Sequence, residues 1–214
     1  MRVQALIPFR PVDSKKRLSP VFSQREREDF ARAMIADVIS SVKEAGCIPV
    51  VLSTSAYSCA DADVEVRVVE QGLNEALNEA LPQCSGPVVI IMSDLPLVRA
   101  SDLARLLGTK KDLAIVPGLG GGTNIIFVKE PARFHVLYYG YSFAQHLRIA
   151  KESGLSVEVI DSMRMSVDAD EPEDLVELLI HGTGAARAWL DAHGFSLSTE
   201  SGRLKVMRGG EVVV

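Results

Sequence analysis

Pro87-Val88-Val89-Ile90-Ile91-Met92-Ser93-Asp94 is an unbroken apolar run halted by a hydroxyl and a carboxylate. With no polar residue at either parity, both faces of such a strand must be covered, as in the centre of a sheet packed between helices. Working towards the amino terminus, residues 72–81 read as a short helix entered through Gly72-Leu73-Asn74, and residues 64–69 as a β-branched strand. Residues 48–53 give another strand. Before it, Ser23 and Glu26 have capping-box spacing, and Phe30, Met34, Val38 and Val42 recur at helical intervals until Gly46. Residues 3–7 are a first buried strand ending at Pro8.

Towards the carboxyl terminus the alternation continues. Residues 101–107 read as a helix, 113–116 and 124–128 as strands around the glycine run 118–122, and 142–153 as a helix capped by Ser142. Residues 155–160 form the next strand. Pro172 suits a first helical turn continued by 175–180, a further helix follows Gly182, and residues 203–214 read as a hairpin turning at Gly209-Gly210. The order predicts an α/β protein with three α/β/α layers and a mostly parallel, mixed central sheet. One domain over residues 1–214 is expected, with a hairpin-like tail over about 195–214.

Composition narrows the chemistry. A chain of 214 residues that is 47% hydrophobic can bury one full core, and its 23 Lys+Arg against 28 Asp+Glu leave a net charge of −5. That balance argues against nucleic-acid or anionic-membrane partners. The amino-terminal apolar stretch is short and broken by Pro8, so a soluble cytoplasmic protein is expected. Cys47, Cys59 and Cys84 are odd in number and irregularly spaced, which predicts free thiols. The tail Val212-Val213-Val214 can add an edge strand to a second copy or pair within the chain, so a homodimer is left open.

Ligands of open α/β sheets bind beyond the carboxyl ends of the strands. After the first strand, Lys15, Lys16 and Arg17 form a basic cluster able to neutralise a triphosphate, or simply a solvated basic loop. Asp94 sits at a rigid strand end. There a carboxylate suits a hard cation such as Mg²⁺, the competing role being a turn or helix cap. Val167-Asp168-Ala169-Asp170 sends two acids to one side if extended, unless Asp170 caps the helix near Pro172. Gly120-Gly121-Gly122-Thr123-Asn124 can bring amides, a hydroxyl and a side-chain amide to an anion, although a plain hairpin turn would look similar. Ser142 adds a hydroxyl at a helix amino terminus, as phosphate ligand or simple cap. The four histidines, His135, His146, His181 and His193, fall in no ligand spacing and read as structural. Gly-x-Ser-x-Gly, Walker A and dinucleotide fingerprints are absent.

Six segments in order resemble the 2-phospho-L-lactate guanylyltransferase family, which makes the activated lactyl precursor of the deazaflavin coenzyme F420. They are Ile7-Pro8-Phe9-Arg10-Pro11 with Lys15-Lys16-Arg17-Leu18, Gly72-Leu73-Asn74-Glu75-Ala76-Leu77, Ser93-Asp94-Leu95-Pro96-Leu97, Gly121-Gly122-Thr123-Asn124, Ser142-Phe143, and Asp168 through Leu175. The resemblance implies a glycosyltransferase-A-like nucleotidyltransferase fold, GTP as donor, Mg²⁺ as cofactor and pyrophosphate as by-product. It implies that Lys15, Arg17 and Asp94 are catalytic, with Lys15 and Arg17 on the triphosphate and Pro8, Phe9, Gly72, Asn74 and Ser93 along the guanosine. Asp94 and Asp168 or Asp170 would bind metal. Gly121, Gly122, Thr123, Asn124 and Ser142 would hold a small phospho-acid: 2-phospholactate, phosphoenolpyruvate or 3-phosphoglycerate. The first loop lacks the glycine-rich signature of molybdopterin and sugar nucleotidyltransferases, and Tyr138-Tyr139-Gly140-Tyr141 replaces a glycine-rich approach to Ser142. The competing readings are another nucleotidyltransferase of that fold and a nucleotide-binding protein without catalysis. A phosphomonoester is mostly a dianion at neutral pH, its second pKa being near ~6, so in-line attack on the α-phosphorus needs no general base.

Overall fold

The computed structural model describes residues 2–198, 202 and 204–213. Its first half runs β1 (Gln4–Phe9), α1 (Gln24–Glu44), β2 (Ile48–Ser53), β3 (Glu65–Val68), α2 (Leu73–Ala80) and β4 (Val88–Ile91). The second half runs α3 (Ala100–Leu107), β5 (Leu113–Pro117), β6 (Thr123–Val128), α4 (Ser142–Glu152), β7 (Val157–Val159), α5 (Met163–Ser166), α6 (Leu175–His181) and α7 (Ala185–Ala192). Then come β8 (Phe195–Ser198), β9 (Lys205–Arg208) and β10 (Glu211–Val212).

The main sheet has the order β3-β2-β1-β4-β6-β5-β7. Its strands pair in parallel except where β6 lies antiparallel to β4 and β5, because the glycine-rich 118–122 turn joins β5 directly to β6 with no crossover helix. The apolar run that halts at Ser93-Asp94 supplies β4, next to β1 near the middle. Val89 and Ile91 join one core cluster with Phe30, Met34 and Val38 of α1, while Val88 and Ile90 join another with Leu77 of α2 and Ile149 of α4. Two cores back to back across one sheet explain why β4 tolerates no polar side chain. The expected capping box forms: Glu26 N–H donates to Ser23 Oγ at 3.3 Å, and Ser23 N–H to Glu26 Oε2 at 2.7 Å.

The tail differs from a simple hairpin. β8, β9 and β10 make a three-stranded antiparallel sheet, turned at Gly209 (φ 59°) and Gly210 (φ 92°), both in the left-handed region that a type I′ turn requires. Val212 pairs with Met207 and Val213 N–H donates to Val206 O at 2.9 Å, so the apolar tail pairs within the chain; Val214 lies outside the described residues. No helix among the described residues is long and apolar enough to cross a membrane. Cys47, Cys59 and Cys84 are free thiols.

Arg208 fastens this sheet to the body, donating to Glu26 and to Val21 O and lying over the Phe195 ring at 4.9 Å. The Arg208 guanidinium holds the Glu26 carboxyl at about 2, below its ordinary 4.5. A depressed carboxylate stabilises the fold above its unfolded pKa and loses that contribution as pH falls through the folded one. Amide exchange at Val206 and Met207 is therefore expected to accelerate as pH drops from about 4.5 towards about 2, relative to the exchange of β4 amides. Glu26→Gln should accelerate it already at neutral pH and flatten the acid response.

Candidate active site

The carboxyl ends of β1 and β4 open side by side, and the loops leaving them meet through ion pairs. Lys15 has φ 53° and ψ 43°, a left-handed conformation costing about 1–2 kcal/mol for a residue with a Cβ. That backbone turns its side chain inward to 9% exposure, where Nζ lies 2.6 Å from Asp94 Oδ2 and 3.1 Å from Asp170 Oδ1. Burial works against the ammonium, but the Asp94 and Asp170 carboxylates outweigh it and raise the Lys15 pKa. Strain of this kind persists where surrounding interactions over-determine it, here at a charge cluster.

Arg17 stands at the rim, mostly exposed, with Nη1 3.0 Å from Asp170 Oδ2 and 3.3 Å from Glu171 Oε1. The capping role weighed for Asp170 belongs to Asp174, whose Oδ2 accepts from the amides of Asp170 at 2.9 Å and Glu171 at 2.7 Å. Asp170 is thus free to face the lysine. Ala169 N–H donates to Asp94 O at 3.0 Å, joining the two acidic segments by backbone. Between them Asp168 is largely buried, and its pKa is raised first by burial and then by the Asp94 charge.

These acids outnumber the cations facing them. Asp94, Asp168, Asp170 and Glu171 meet Lys15 and Arg17, and the Asp94 charge adds to burial in raising the Asp168 carboxyl. A magnesium ion needs only one or two carboxylates and takes its other oxygens from phosphate and water. Asp94 with Asp168 or Asp170 meets that requirement. No cluster of three or more His, Cys, Asp or Glu that could enclose an ion occurs among the described residues.

The charge cluster borders a cavity of about 550 Å³. Pro8, Phe9, Lys15, Arg17, Gly72, Ser93 and Asp94 line it, together with Arg10 and Tyr139, which lie in the quoted segments without an assigned role, and Thr54 and Gln71, which no motif marks in the sequence. Leu52, Val69, Leu73, Ala76 and Leu77 supply apolar wall. Asn74, expected along the guanosine, uses its side chain elsewhere. Its side chain is engaged with the Tyr138 backbone, Oδ1 accepting from N–H at 2.6 Å and Nδ2 donating to O at 3.2 Å, so it does not border the cavity. One turn on, Asn78 does the same to Val136 at 2.7 and 3.0 Å. The pair clamps the 136–138 segment against α2 as an adjacent strand would.

A β-bulge divides the residues expected to hold the acceptor. Val116 pairs with Ile125 but Pro117 with Thr123, leaving Asn124 as the extra residue. Bulges re-aim side chains. Thr123 consequently turns towards α4, while Asn124 Nδ2 donates to Met165 O at 3.1 Å and the same amide helps to lower the Asp168 carboxyl against its burial. Asn124, expected among the acceptor ligands, thus has its side-chain amide directed to the 165–168 segment. Gly121 (φ 81°) has the Tyr141 ring 2.9 Å from where a Cβ would be, so only glycine fits there. Ser142 is the first residue of α4 rather than its cap, and the amides of Ser142 and Phe143 donate to Gly140 O at 3.0 Å and Gly121 O at 3.3 Å. Its hydroxyl instead donates to Thr123 Oγ1 at 3.2 Å, within a buried group completed by His146.

His146, expected to be merely structural, contacts both the Thr123 hydroxyl and the loop before α4. The usable signal is its spacing, four residues after Ser142, which puts both on one helix face. The other described histidine contacts are structural: His193 stacks on Trp189 at 3.7 Å and His181 lies 3.4 Å from Glu177.

Known proteins share this arrangement of elements. A protein from Desulfovibrio desulfuricans G20 described as a nucleotide-diphospho-sugar transferase superposes with a TM-score of 0.75 at 17% identity, covering 90% of this chain and 96% of that one. The 2-C-methyl-D-erythritol 4-phosphate cytidylyltransferase of Thermus thermophilus gives 0.56 at 13% identity over 89% and 100%. The fold is therefore that of the nucleotide-diphospho-sugar transferases and cytidylyltransferases. In sequence, the 2-phospho-L-lactate guanylyltransferase of Methanocorpusculum labreanum is 62% identical over the full length of both chains. The protein of that name from Methanoculleus marisnigri is 54% identical over 97% of each. The family profile described as guanylyl transferase CofC-like matches residues 3–209, and the chain belongs to that family.

Proposed function

We propose that this chain transfers GMP from GTP to 2-phospho-L-lactate, forming lactyl-2-diphospho-5′-guanosine and pyrophosphate on the route to coenzyme F420. One observation carries the site assignment: a buried ammonium held between Asp94 and Asp170 at the edge of a cavity that also has apolar walls. The apolar walls suit a base ring, and Lys15 and Arg17 suit the triphosphate. When Mg²⁺ is bound, it supplies charge neutralisation for two phosphates that repel one another; Asp94 and Asp168 or Asp170 would hold it.

Met92 N–H donates to Asn124 O at 3.0 Å just past the last β4–β6 pair, Ile91 with Ile125, so β6 begins at the sheet edge where β4 ends. In-line attack requires the acceptor phosphate beside the charge cluster; Thr123 and Ser142, which the resemblance assigns to hold it, are buried behind the cavity wall and do not line it. A dianionic phosphate is its own nucleophile, and no side chain is needed to remove a proton.

The test is a panel of nucleoside triphosphates against 2-phospho-L-lactate, phosphoenolpyruvate and 3-phosphoglycerate with Mg²⁺, scored by pyrophosphate release and product mass. The expected productive pair is GTP with 2-phospho-L-lactate. Absence of pyrophosphate with every phospho-acid would reject the reading in favour of nucleotide binding alone.

A further inference from the structure

We propose that Arg27 is a positioning residue for Lys15: by holding the Ser14 carbonyl it fixes the peptide plane that turns the lysine inward between Asp94 and Asp170. The placement stands on geometry alone, while its effect on turnover rests on the reading above that Lys15 serves the triphosphate.

Two residues of the loop after β1, Asp13 and Lys15, lie in the left-handed region at φ 53° although each carries a Cβ. No glycine occurs between Phe9 and Ser23 to relieve them. Ser14, between the two, gives no help, since its Oγ is buried without a hydrogen-bond partner among the described residues. The hold comes from α1. Glu28 Oε1 accepts from the Asp13 N–H at 3.1 Å, and Arg27 Nε donates to Ser14 O at 3.3 Å. Adjacent side chains of opposite charge thus take one donor from the peptide that enters Asp13 and one acceptor from the peptide that leaves Ser14.

The second of these contacts governs Lys15. Ser14 O belongs to the peptide plane whose rotation changes the Lys15 φ, so relaxing Lys15 to the right-handed region swings that carbonyl away from its donor. The far side of Lys15 is held as well, because Leu18 N–H donates to Lys15 O at 3.0 Å and opens the 3₁₀ turn Lys16–Leu18. The guanidinium is itself anchored. Its Nη1 donates to Phe22 O at 3.3 Å, so one planar fork ties both ends of the 14–22 loop to the helix. Arg27 is half-buried and is not among the residues lining the cavity, so it reaches the reaction only through the lysine.

The competing role is a brace for the loop that leaves Lys15 where it is. Timed reductive methylation of the intact, ligand-free protein, read at each lysine by tandem mass spectrometry, separates the two. In the wild type Lys15 is 9% exposed and paired with two carboxylates, so it should react far more slowly than the exposed Lys151 of α4. Arg27→Met is expected to speed Lys15 about tenfold or more, as when a hydrogen bond from a charged donor is lost, with Lys151 unchanged. Arg27→Gln, which keeps a shorter, uncharged donor, should speed it by about threefold, and it carries the test if Arg27→Met fails to fold. The kcat/KM for GTP should fall in parallel, and Lys15→Met with Arg27→Met should be no worse than Lys15→Met alone.

An unchanged Lys15 rate in either variant, shown by its thermal melt to be folded, overturns the proposal. So does equal acceleration of Lys15 and Lys151, which marks a general loosening, and so does a double variant that loses the product of the two single effects, since Arg27 would then act apart from the lysine. Faster labelling of Lys15 beside an unchanged kcat/KM upholds the positioning and removes Lys15 from the triphosphate instead.

Discussion

Asp94→Asn is expected to lower kcat by at least about a thousandfold, a barrier increase of ~4 kcal/mol, while leaving the protein folded. The substitution keeps the shape of the side chain and an oxygen for Lys15, and removes one unit of negative charge from the cluster. In the folded protein the loss is modest, because Asp94 is only part-buried and its charge also opposes the buried Asp168, whose carboxyl it pushes up. In the reaction the loss is large. An amide is a poor ligand for a hard cation, and the triphosphate and the acceptor then meet with less neutralisation between them. Steady-state turnover beside a thermal melt measures both quantities. A variant within tenfold of wild type would remove Asp94 from the chemistry and the proposed metal site with it.

The same carboxylate shows why parts of the site are legible in the sequence and others are not. Asp94 stands out because a two-faced apolar strand ends there, a signal of strand burial that needs no knowledge of partners. Lys15 and Asp170 are visible as charges, but their meeting is not: they are far apart in sequence, and a left-handed backbone at Lys15 brings the ammonium inward. The fold is legible for a related reason, since periodicity and caps are local. Its departures are non-local. β8 turns the expected hairpin into a three-stranded sheet, and the bulge opposite Pro117 sends Thr123 and Asn124 to different tasks. The clamp made by Asn74 is hidden because an asparagine that holds a distant backbone segment has the same local sequence as one that faces a ligand. His146 escapes notice because its partners, Thr123 and Leu137, come from a strand and a loop outside its own helix.

Lys15→Met is expected to reduce kcat/KM by about a hundredfold to a thousandfold and, unlike Asp94→Asn, to weaken the free protein as well. Methionine preserves length and backbone strain, so the change isolates the ammonium. Without it Asp94 faces Asp170 and Asp168 with only Arg17, on Asp170, left to offset the charge, although the Asp94 and Asp170 side chains retain 25% and 33% exposure and water relieves part of the repulsion. Removing one partner of a fully buried pair costs about 3–5 kcal/mol, so about 1–3 kcal/mol is the expected loss for acids this exposed. A divalent ion can take over the vacated role, which gives the prediction its sharp form. In a thermal melt without nucleotide, Mg²⁺ should raise the midpoint of Lys15→Met by several degrees and that of the wild type by much less, because in the wild type the lysine already neutralises the same oxygens. Equal responses in the two proteins would mean that the ammonium and the cation do not share one site, and that the acids around Lys15 serve the fold alone.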